Sequence, residues 1–186
     1  VEADGSARPA PDGLGGMARA TAPDGRTIAA GGDGDALVSK LGNAAPVALA
    51  RGWRAADVVV DAAGRVYATE SATGAGEGAV HVIAPDGRDV RVGVPLARPS
   101  GLCLSPDQTL LYVADNADRW VWNYSVGADG SLTNGQRYDH LHVPDTATDA
   151  GTGGLRVDRD GRLWAATRLG LQVCDQAGRV NAIIPV

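Results

Sequence analysis

Hydrophobic and polar residues alternate with a period of two along most of the chain, and short polar turns interrupt the alternation. The run 79–83 (Ala-Val-His-Val-Ile) and the run 180–184 (Val-Asn-Ala-Ile-Ile) are two examples. No stretch of roughly ten or more residues repeats its apolar positions at the three- and four-residue spacing of an amphipathic helix. The pattern therefore predicts an all-β chain with little helix.

One strand pair recurs along the sequence. Its copies occupy 58–69, 102–115 and 155–166, and a degraded copy precedes them at 22–29. Each clear copy has an apolar run, a turn centred on Ala-Gly, Pro-Asp or Asp-Gly, and a second run; glycine accepts the positive φ of a tight hairpin. The copies follow one another at about 40–50 residues, which is the repeat length of a propeller blade.

A second hairpin follows each clear copy, with turns at 86–87, 129–130 and 177–178. Two hairpins in each period make a four-stranded antiparallel blade, so the sequence predicts a β-propeller with roughly four blades. The predicted segments are a polar N-terminal segment 1–17 and blades at 18–50 (a weak repeat), 51–95, 96–145 and 146–186. Such an open arc has unpaired end strands, which predict self-association through open blade edges.

Charge and hydropathy argue against nucleic acid and a membrane as partners. The formal net charge is −5, and no basic stripe of the kind that binds nucleic acid is present. No apolar run approaches the ~20 residues of a membrane span, and no signal peptide is visible, so a soluble chain is expected with its compartment left open. Cys103 and Cys174 lie in apolar alternating stretches without metal-type spacing, which predicts two buried thiols rather than a disulfide.

Residues 99–115 (Pro-Ser-Gly-Leu-Cys-Leu-Ser-Pro-Asp, then Leu-Tyr-Val-Ala-Asp) resemble a strand pair of the SMP-30/gluconolactonase/LRE (regucalcin-like) family. Residues 122–132, 154–158 and 170–180 resemble further motifs of that family. The resemblance covers about 50–186 and implies the C-terminal part of a six-bladed propeller. It also implies a lactonase that opens a small sugar-type lactone, using a divalent cation (calcium or zinc) in the central channel.

The family's metal-ligand positions fall on altered residues in this sequence. The resemblance places two amide ligands at Ala56 and Ser100 and a carboxylate ligand at Gly153. Hard divalent cations prefer several oxygen donors with carboxylates among them, so these changes predict a weakened metal site. Ser100 and Asp149 are the remaining candidate ligands; Asp149 belongs to an acidic loop that a solvated surface would also explain.

Four polar residues near the expected channel are candidates for the chemistry. Asp57 and Asp115 are candidate catalytic carboxylates, although a cap at the end of its strand is the favoured explanation of Asp115. Arg54 and Glu70 are candidate substrate-binding residues.

Other residues carry weaker signals. The pair His140 and His142 has a spacing that can bind zinc or copper, although no third ligand stands at a recognisable distance. Trp120, Trp122 and Trp164 occupy repeat positions where aromatic side chains stack on a sugar or fill the space between blades.

Three functions follow from these observations. The first is metal-assisted hydrolysis of a sugar-type lactone. The second is a non-catalytic propeller, a binding or scaffold module that lost its metal ligands. The third, an NHL or YncE-like interaction propeller, explains the turns but not the specific motifs at 99–115 and 154–180.

Overall fold

The computed structural model describes residues 18–31, 35–70 and 78–186, and all the helix or strand structure in these residues is β-strand. The sequence-based prediction of an all-β chain is therefore confirmed. The predicted N-terminal segment 1–17 lies outside the described residues. Within the described ranges, no helix has the length and apolarity to cross a membrane.

The strands form four separate four-stranded sheets, which we call blades 1 to 4. Blade 1 contains β1 (Arg19–Thr21), β2 (Thr27–Ala30), β3 (Asp35–Lys40) and β4 (Val47–Arg51). Blade 2 contains β5 (Ala55–Val60), β6 (Val66–Glu70), β7 (Ala79–Ile83) and β8 (Asp89–Gly93). Blade 3 contains β9 (Pro99–Leu104), β10 (Leu110–Asp115), β11 (Trp120–Val126) and β12 (Leu132–His140). Blade 4 contains β13 (Leu155–Val157), β14 (Leu163–Thr167), β15 (Gly170–Cys174) and β16 (Val180–Ile184).

A recurring turn explains why the hairpins form where they do. Asp61 accepts hydrogen bonds from the backbone N–H of Arg65 at 2.8 Å and from its Nε at 2.6 Å. Gly64, between Asp61 and Arg65 in the sequence, has a φ of 79°. This backbone conformation is less strained for glycine than for residues with a Cβ. The same two aspartate-to-arginine contacts recur at 158–162. At 175–179 the backbone contact recurs, and the side-chain contact is made by Nη2 of the arginine at 3.3 Å. The carboxylate thus replaces backbone partners that the tight turn leaves unpaired.

The corresponding turn of blade 3 lacks glycine and uses other contacts. Gln108 takes the positive φ, at 59°. Asp107 accepts hydrogen bonds from the Ser105 hydroxyl at 2.6 Å and the Thr109 N–H at 3.1 Å. The side-chain oxygen of Gln108 accepts the N–H of Ala62 at 2.8 Å, which joins the turns of blades 2 and 3.

The blades are arranged around their first strands. Strand β1 contacts β5, β5 contacts β9, and β9 contacts β13, while the strand order inside each blade follows the chain. Separate apolar cores fill the spaces between consecutive blades. Their central side chains are Leu37 and Val58 between blades 1 and 2, Tyr67 and Leu102 between blades 2 and 3, and Leu141 and Leu163 between blades 3 and 4. This is the predicted propeller arrangement, and its four blades confirm the predicted fold class.

The two cysteines are both unbonded and buried. Burial raises the pKa of the Cys103 thiol to about 12, even though Arg156 acts in the opposite direction. Burial likewise raises the pKa of Cys174 to about 12. The prediction of two buried thiols is confirmed, and neither forms a thiolate near neutral pH.

Candidate functional site

A pocket of about 590 Å³ lies beside the first strands of blades 1, 2 and 4. Arg19 of β1, Asp57 of β5 and Arg156 of β13 supply its charged groups. Trp164 of β14 forms part of its wall. We call this cavity the central pocket. The described residues give it one carboxylate, two guanidinium groups and one large aromatic ring.

Asp57 is held in the central pocket by bonds that join blades 2 and 3. Its Oδ1 accepts the N–H of Val58 at 2.9 Å, and its Oδ2 accepts the N–H of Leu102 at 3.1 Å. Thr69 accepts the N–H of Asp57 at 3.0 Å and donates to the carbonyl oxygen of Ser100 at 2.6 Å. These bonds fix the carboxylate at the junction of β5 and β9.

The environment of Asp57 favours its protonated form more than water does. Burial raises the pKa of Asp57 and outweighs the N–H groups of Leu102 and Val58 and the charge of Arg156, all of which lower it. A carboxyl group with a raised pKa is better suited to accept a proton near neutral pH than an ordinary aspartate.

Arg156 is a pocket residue that sequence reasoning missed. It is exposed, its Nη1 donates to the carbonyl oxygen of Leu155 at 2.7 Å, and its charge acts on Asp57. The signal available in the sequence was a cation inside the apolar run Leu-Arg-Val of a first strand. Arg19 was missed because it lies in the weakest repeat.

The three family metal-ligand positions lie at or just before the starts of first strands, but they supply few donors. Ala56 and Gly153 have no side-chain oxygen, and the Ser100 hydroxyl donates to the carbonyl oxygen of Thr152 at 3.0 Å. Gly101 approaches the carbonyl oxygen of Gly153 so closely that a Cβ would clash with it. Among the described residues, no three or more His, Cys, Asp or Glu side chains are grouped to hold a metal ion. These residues therefore do not fit a tightly held divalent cation.

Asp149, the second candidate metal ligand, is engaged with arginines. Its Oδ1 lies 3.1 Å from Nη2 of Arg168, and its Oδ2 lies 3.8 Å from Nη2 of Arg98. The hydrogen bond from Arg168 is the main cause of the lowered pKa of Asp149. Its charge is thus balanced within the protein, at the surface between blades 3 and 4.

Asp115 is buried at the end of β10 and lies outside the lining of the central pocket. Its carboxylate accepts the backbone N–H groups of Ala97, Arg98 and Ala117, each at 3.0 Å. These are the contacts of a strand-end cap, one of the two interpretations that the sequence left open.

Arg54 and Glu70 do not line the central pocket with Asp57. Arg54 is exposed just before β5 and does not line the central pocket. Oε2 of Glu70 accepts a hydrogen bond from Nε of Arg91 at 2.7 Å and lies 3.5 Å from Nε2 of His81. The Glu70 carboxylate therefore belongs to a polar cluster within blade 2.

The histidine pair and two of the three candidate tryptophans contact neighbouring residues and do not line the central pocket. The His140 ring contacts the Trp120 ring at 4.6 Å, and the backbone N–H of His142 donates to the side chain of Gln172 at 2.8 Å. The guanidinium of Arg137 lies over the ring of Trp122. Of the three candidate tryptophans, Trp164 alone lines the central pocket.

Comparison with known proteins gives one family match and one relative of note. The family described as SMP-30/gluconolactonase/LRE-like region matches residues 4–186. A gluconolactonase from Zymomonas mobilis is 31% identical over 106 residues, which is 55% of this chain and 30% of that protein.

Solved structures share the fold at lower identity. A gluconolactonase from Xanthomonas campestris is 24% identical with a TM-score of 0.73, covering 90% of this chain and 61% of that one. A calcium-binding protein, regucalcin, from Agrobacterium tumefaciens is 20% identical with a TM-score of 0.73, covering 91% and 59%. The chain thus spans less than two thirds of the length of these relatives. With the family match over nearly the whole sequence, the chain belongs to the SMP-30/gluconolactonase/LRE-like family.

Proposed function

We propose that the central pocket binds a sugar-type lactone, or the sugar acid released when the lactone opens, without a divalent cation held by the described residues. The observation that carries the proposal is that the site lacks oxygen ligands for a cation and has a guanidinium group in the pocket. Oxygen ligands are absent at Ala56 and Gly153, whereas the guanidinium of Arg156 stands beside Asp57. A guanidinium recognises a carboxylate or a polarised carbonyl through charge-assisted hydrogen bonds.

The rest of the pocket supports a sugar-type ligand. Trp164 offers an apolar face of the size of a sugar ring, and Asp57 offers acceptors for ring hydroxyl groups. The volume of about 590 Å³ lies within the range of ordinary small-molecule sites. The names of the similar gluconolactonases point to the same class of ligand.

The raised pKa of Asp57 favours a second candidate function, hydrolysis of the bound lactone. In this step a water oxygen bonds to the lactone carbonyl carbon while Asp57 accepts the proton of that water. Arg156 stabilises the negative charge that develops on the carbonyl oxygen. The ring C–O bond then breaks, and the proton passes from Asp57 to the departing ring oxygen, which yields a hydroxy acid.

A binding titration tests the proposal. Sodium gluconate is titrated calorimetrically into the full chain in the presence of EDTA, and again with calcium, zinc or manganese. We expect saturable binding that EDTA does not abolish. Arg156→Ala should weaken it about tenfold or more, as expected for a lost charge-assisted hydrogen bond. Arg88→Ala, which changes an exposed arginine in the β7–β8 turn, is the matched control.

Opening of glucono-lactone, corrected for its spontaneous rate in buffer, separates the two functions. Turnover that Asp57→Asn removes and EDTA does not affect supports hydrolysis. Binding without turnover supports the non-catalytic function. Gluconate binding that requires an added metal, or no gluconate binding at all, contradicts the proposal.

A further inference from the structure

A groove of about 680 Å³ lies between blades 3 and 4. It is bounded by the β9–β10 turn, by β12 and by the β13–β14 turn, at the opposite end of the first strands from Ser100. It shares no lining residue with the central pocket. We call it the inter-blade groove, and it is a separate cavity from the candidate site above.

Three side chains on neighbouring strands of blade 3 form a row along the groove. Tyr112 of β10 is in register with Asn123 of β11, and Asn123 is in register with Gln136 of β12. Cross-strand partners project from the same face of a sheet, and all three residues line the groove. The row places one aromatic ring and two amides along one wall.

Asn123 is the strongest indication of a ligand. Its exposed fraction is 5%, yet it lines the groove, and none of the hydrogen bonds among the described residues involves its side-chain amide. Its amide is not among the fully buried unpaired side-chain atoms of the described residues, so it opens onto the groove, where water or a ligand supplies the partners that such groups normally have. The amide offers one acceptor and two donors to a molecule in the groove.

Contacts between blades 3 and 4 fix the opposite wall. The hydroxyl of Tyr138 donates to the carbonyl oxygen of Gln176 at 2.6 Å. Nε2 of Gln176 in turn donates to the carbonyl oxygen of Asp160 at 2.6 Å. These bonds connect β12 to two turns of blade 4, so the groove is formed before any ligand binds.

The charges of the groove do not favour an anionic ligand. Arg159 lines it together with two carboxylates, Asp107 and Asp160. The hydroxyl of Ser105 is the main cause of the lowered pKa of Asp107, so this carboxylate stays ionised near neutral pH. A site of tyrosines and amides without excess positive charge suits a neutral ligand rich in hydroxyl groups.

We propose that the inter-blade groove binds a neutral saccharide, with the amides of Asn123 and Gln136 bonding its hydroxyl groups and Tyr112 and Tyr138 contacting its ring faces. The groove is independent of the central pocket, so this proposal does not rest on the function proposed above.

Titration of the isotope-labelled full chain with cellobiose and with maltose, followed by ¹H–¹⁵N chemical shifts, tests the proposal. Sodium glucuronate is the charged comparison. We expect saturable shifts from at least one disaccharide, at the groove residues Gln136 and Tyr138 and not at the central-pocket residue Leu171. Asn123→Ala should weaken binding about tenfold or more, whereas Asn181→Ala, at an exposed asparagine of β16, should not. Arg156→Ala in the central pocket should also leave disaccharide binding unchanged.

Gln136→Ala keeps the test decisive if Asn123→Ala does not fold, because Gln136 is exposed on the groove rim. No saturable binding of either disaccharide overturns the proposal. Unchanged binding in folded Asn123→Ala also overturns it, as do shifts at the groove residues Gln136 and Tyr138 that saturate at lower concentrations of glucuronate than of either disaccharide.

Discussion

Asp139 is a buried acid that makes the stability of this protein depend on pH. Its exposed fraction is 1%, and its Oδ2 has no hydrogen-bond partner among the described residues. Burial raises the pKa of Asp139 to about 7, and the nearby charge of Asp175 adds to the effect. The folded state therefore binds a proton that the unfolded chain has already released at the same pH.

The expected consequence is a loss of stability as pH rises. A pKa that is raised on folding stabilises the fold fully below the unfolded value of 3.8, and this contribution disappears as pH rises through about 7. Between about pH 5 and about pH 8, Asp139 should lower the free energy of unfolding by about 1–3 kcal/mol. Urea unfolding of the wild type and Asp139→Asn at both pH values measures this difference. An equal pH dependence in the two proteins would show that Asp139 is not the responsible group.

Two substitutions test whether residues 100 and 153 stand at metal-ligand positions that have lost their oxygen donors. Ser100→Asn together with Gly153→Asp adds an amide and a carboxylate at the starts of β9 and β13, where calcium affinity depends on such oxygen donors. We expect the double variant to bind calcium or manganese more tightly than the wild type by calorimetry. Adding the same two residues at exposed Ser131 and Gly93 (Ser131→Asn with Gly93→Asp) is the control. A double variant that gains no affinity would contradict the assignment of these positions.

Individual residues were predictable from the sequence to different degrees. Asp57 was predicted near the channel from the family motif around it, and it lines the central pocket. Arg156 was not identified, because an arginine in an apolar strand has no spacing signature and its pocket forms only when separate blades meet. The main partners of Glu70 and Asp149 were equally hidden, since Arg91 lies 21 residues from Glu70 and Arg168 lies 19 residues from Asp149.

The hairpin turns are the elements on which the blades depend, and their glycines can be tested individually. Gly64 has φ of 79°, and a Cβ there would have space, with its nearest contact at 3.9 Å. Gly64→Ala should therefore cost only backbone strain, about 1–2 kcal/mol in the free energy of unfolding. Gly93→Ala adds a Cβ in open space without a positive φ and should change stability by less than about 0.5 kcal/mol. Equal effects of the two substitutions would contradict the strain explanation.

The strands themselves were largely readable from the sequence, because alternation, glycine turns and the blade repeat all indicate the same elements. The pairing irregularities were not readable. Register shifts occur between Ala55 and Asp57 in the β5–β6 pair and between Val113 and Asp115 in the β9–β10 pair. A shift of one residue in pairing leaves the local composition unchanged, so only tertiary contacts reveal it.

At the scale of the whole molecule, the outer strands of the end blades carry exposed apolar side chains. Val47 on β4 and Ile183 and Ile184 on β16 are the main examples. Exposed edge strands with apolar side chains are sites of association between chains. We therefore expect sedimentation velocity to show association that increases with protein concentration.

Ile184→Lys should weaken this association, because a charge on an edge strand opposes strand-to-strand pairing. Leu41→Lys, at an exposed apolar residue of the β3–β4 loop and not of an edge strand, is the matched control. A single species at all concentrations, or equal association of the two variants, would contradict the prediction.

The central claim is that the central pocket binds a sugar-type ligand through Arg156 and not through a cation held at residues 56, 100 and 153. A crystal structure of the full chain grown with sodium gluconate and calcium tests it most directly. The account predicts gluconate in the central pocket, with its carboxylate bonded to Arg156 and its carbon chain against Trp164. Calcium coordinated at the three altered positions, or gluconate bound away from Arg156, would contradict it.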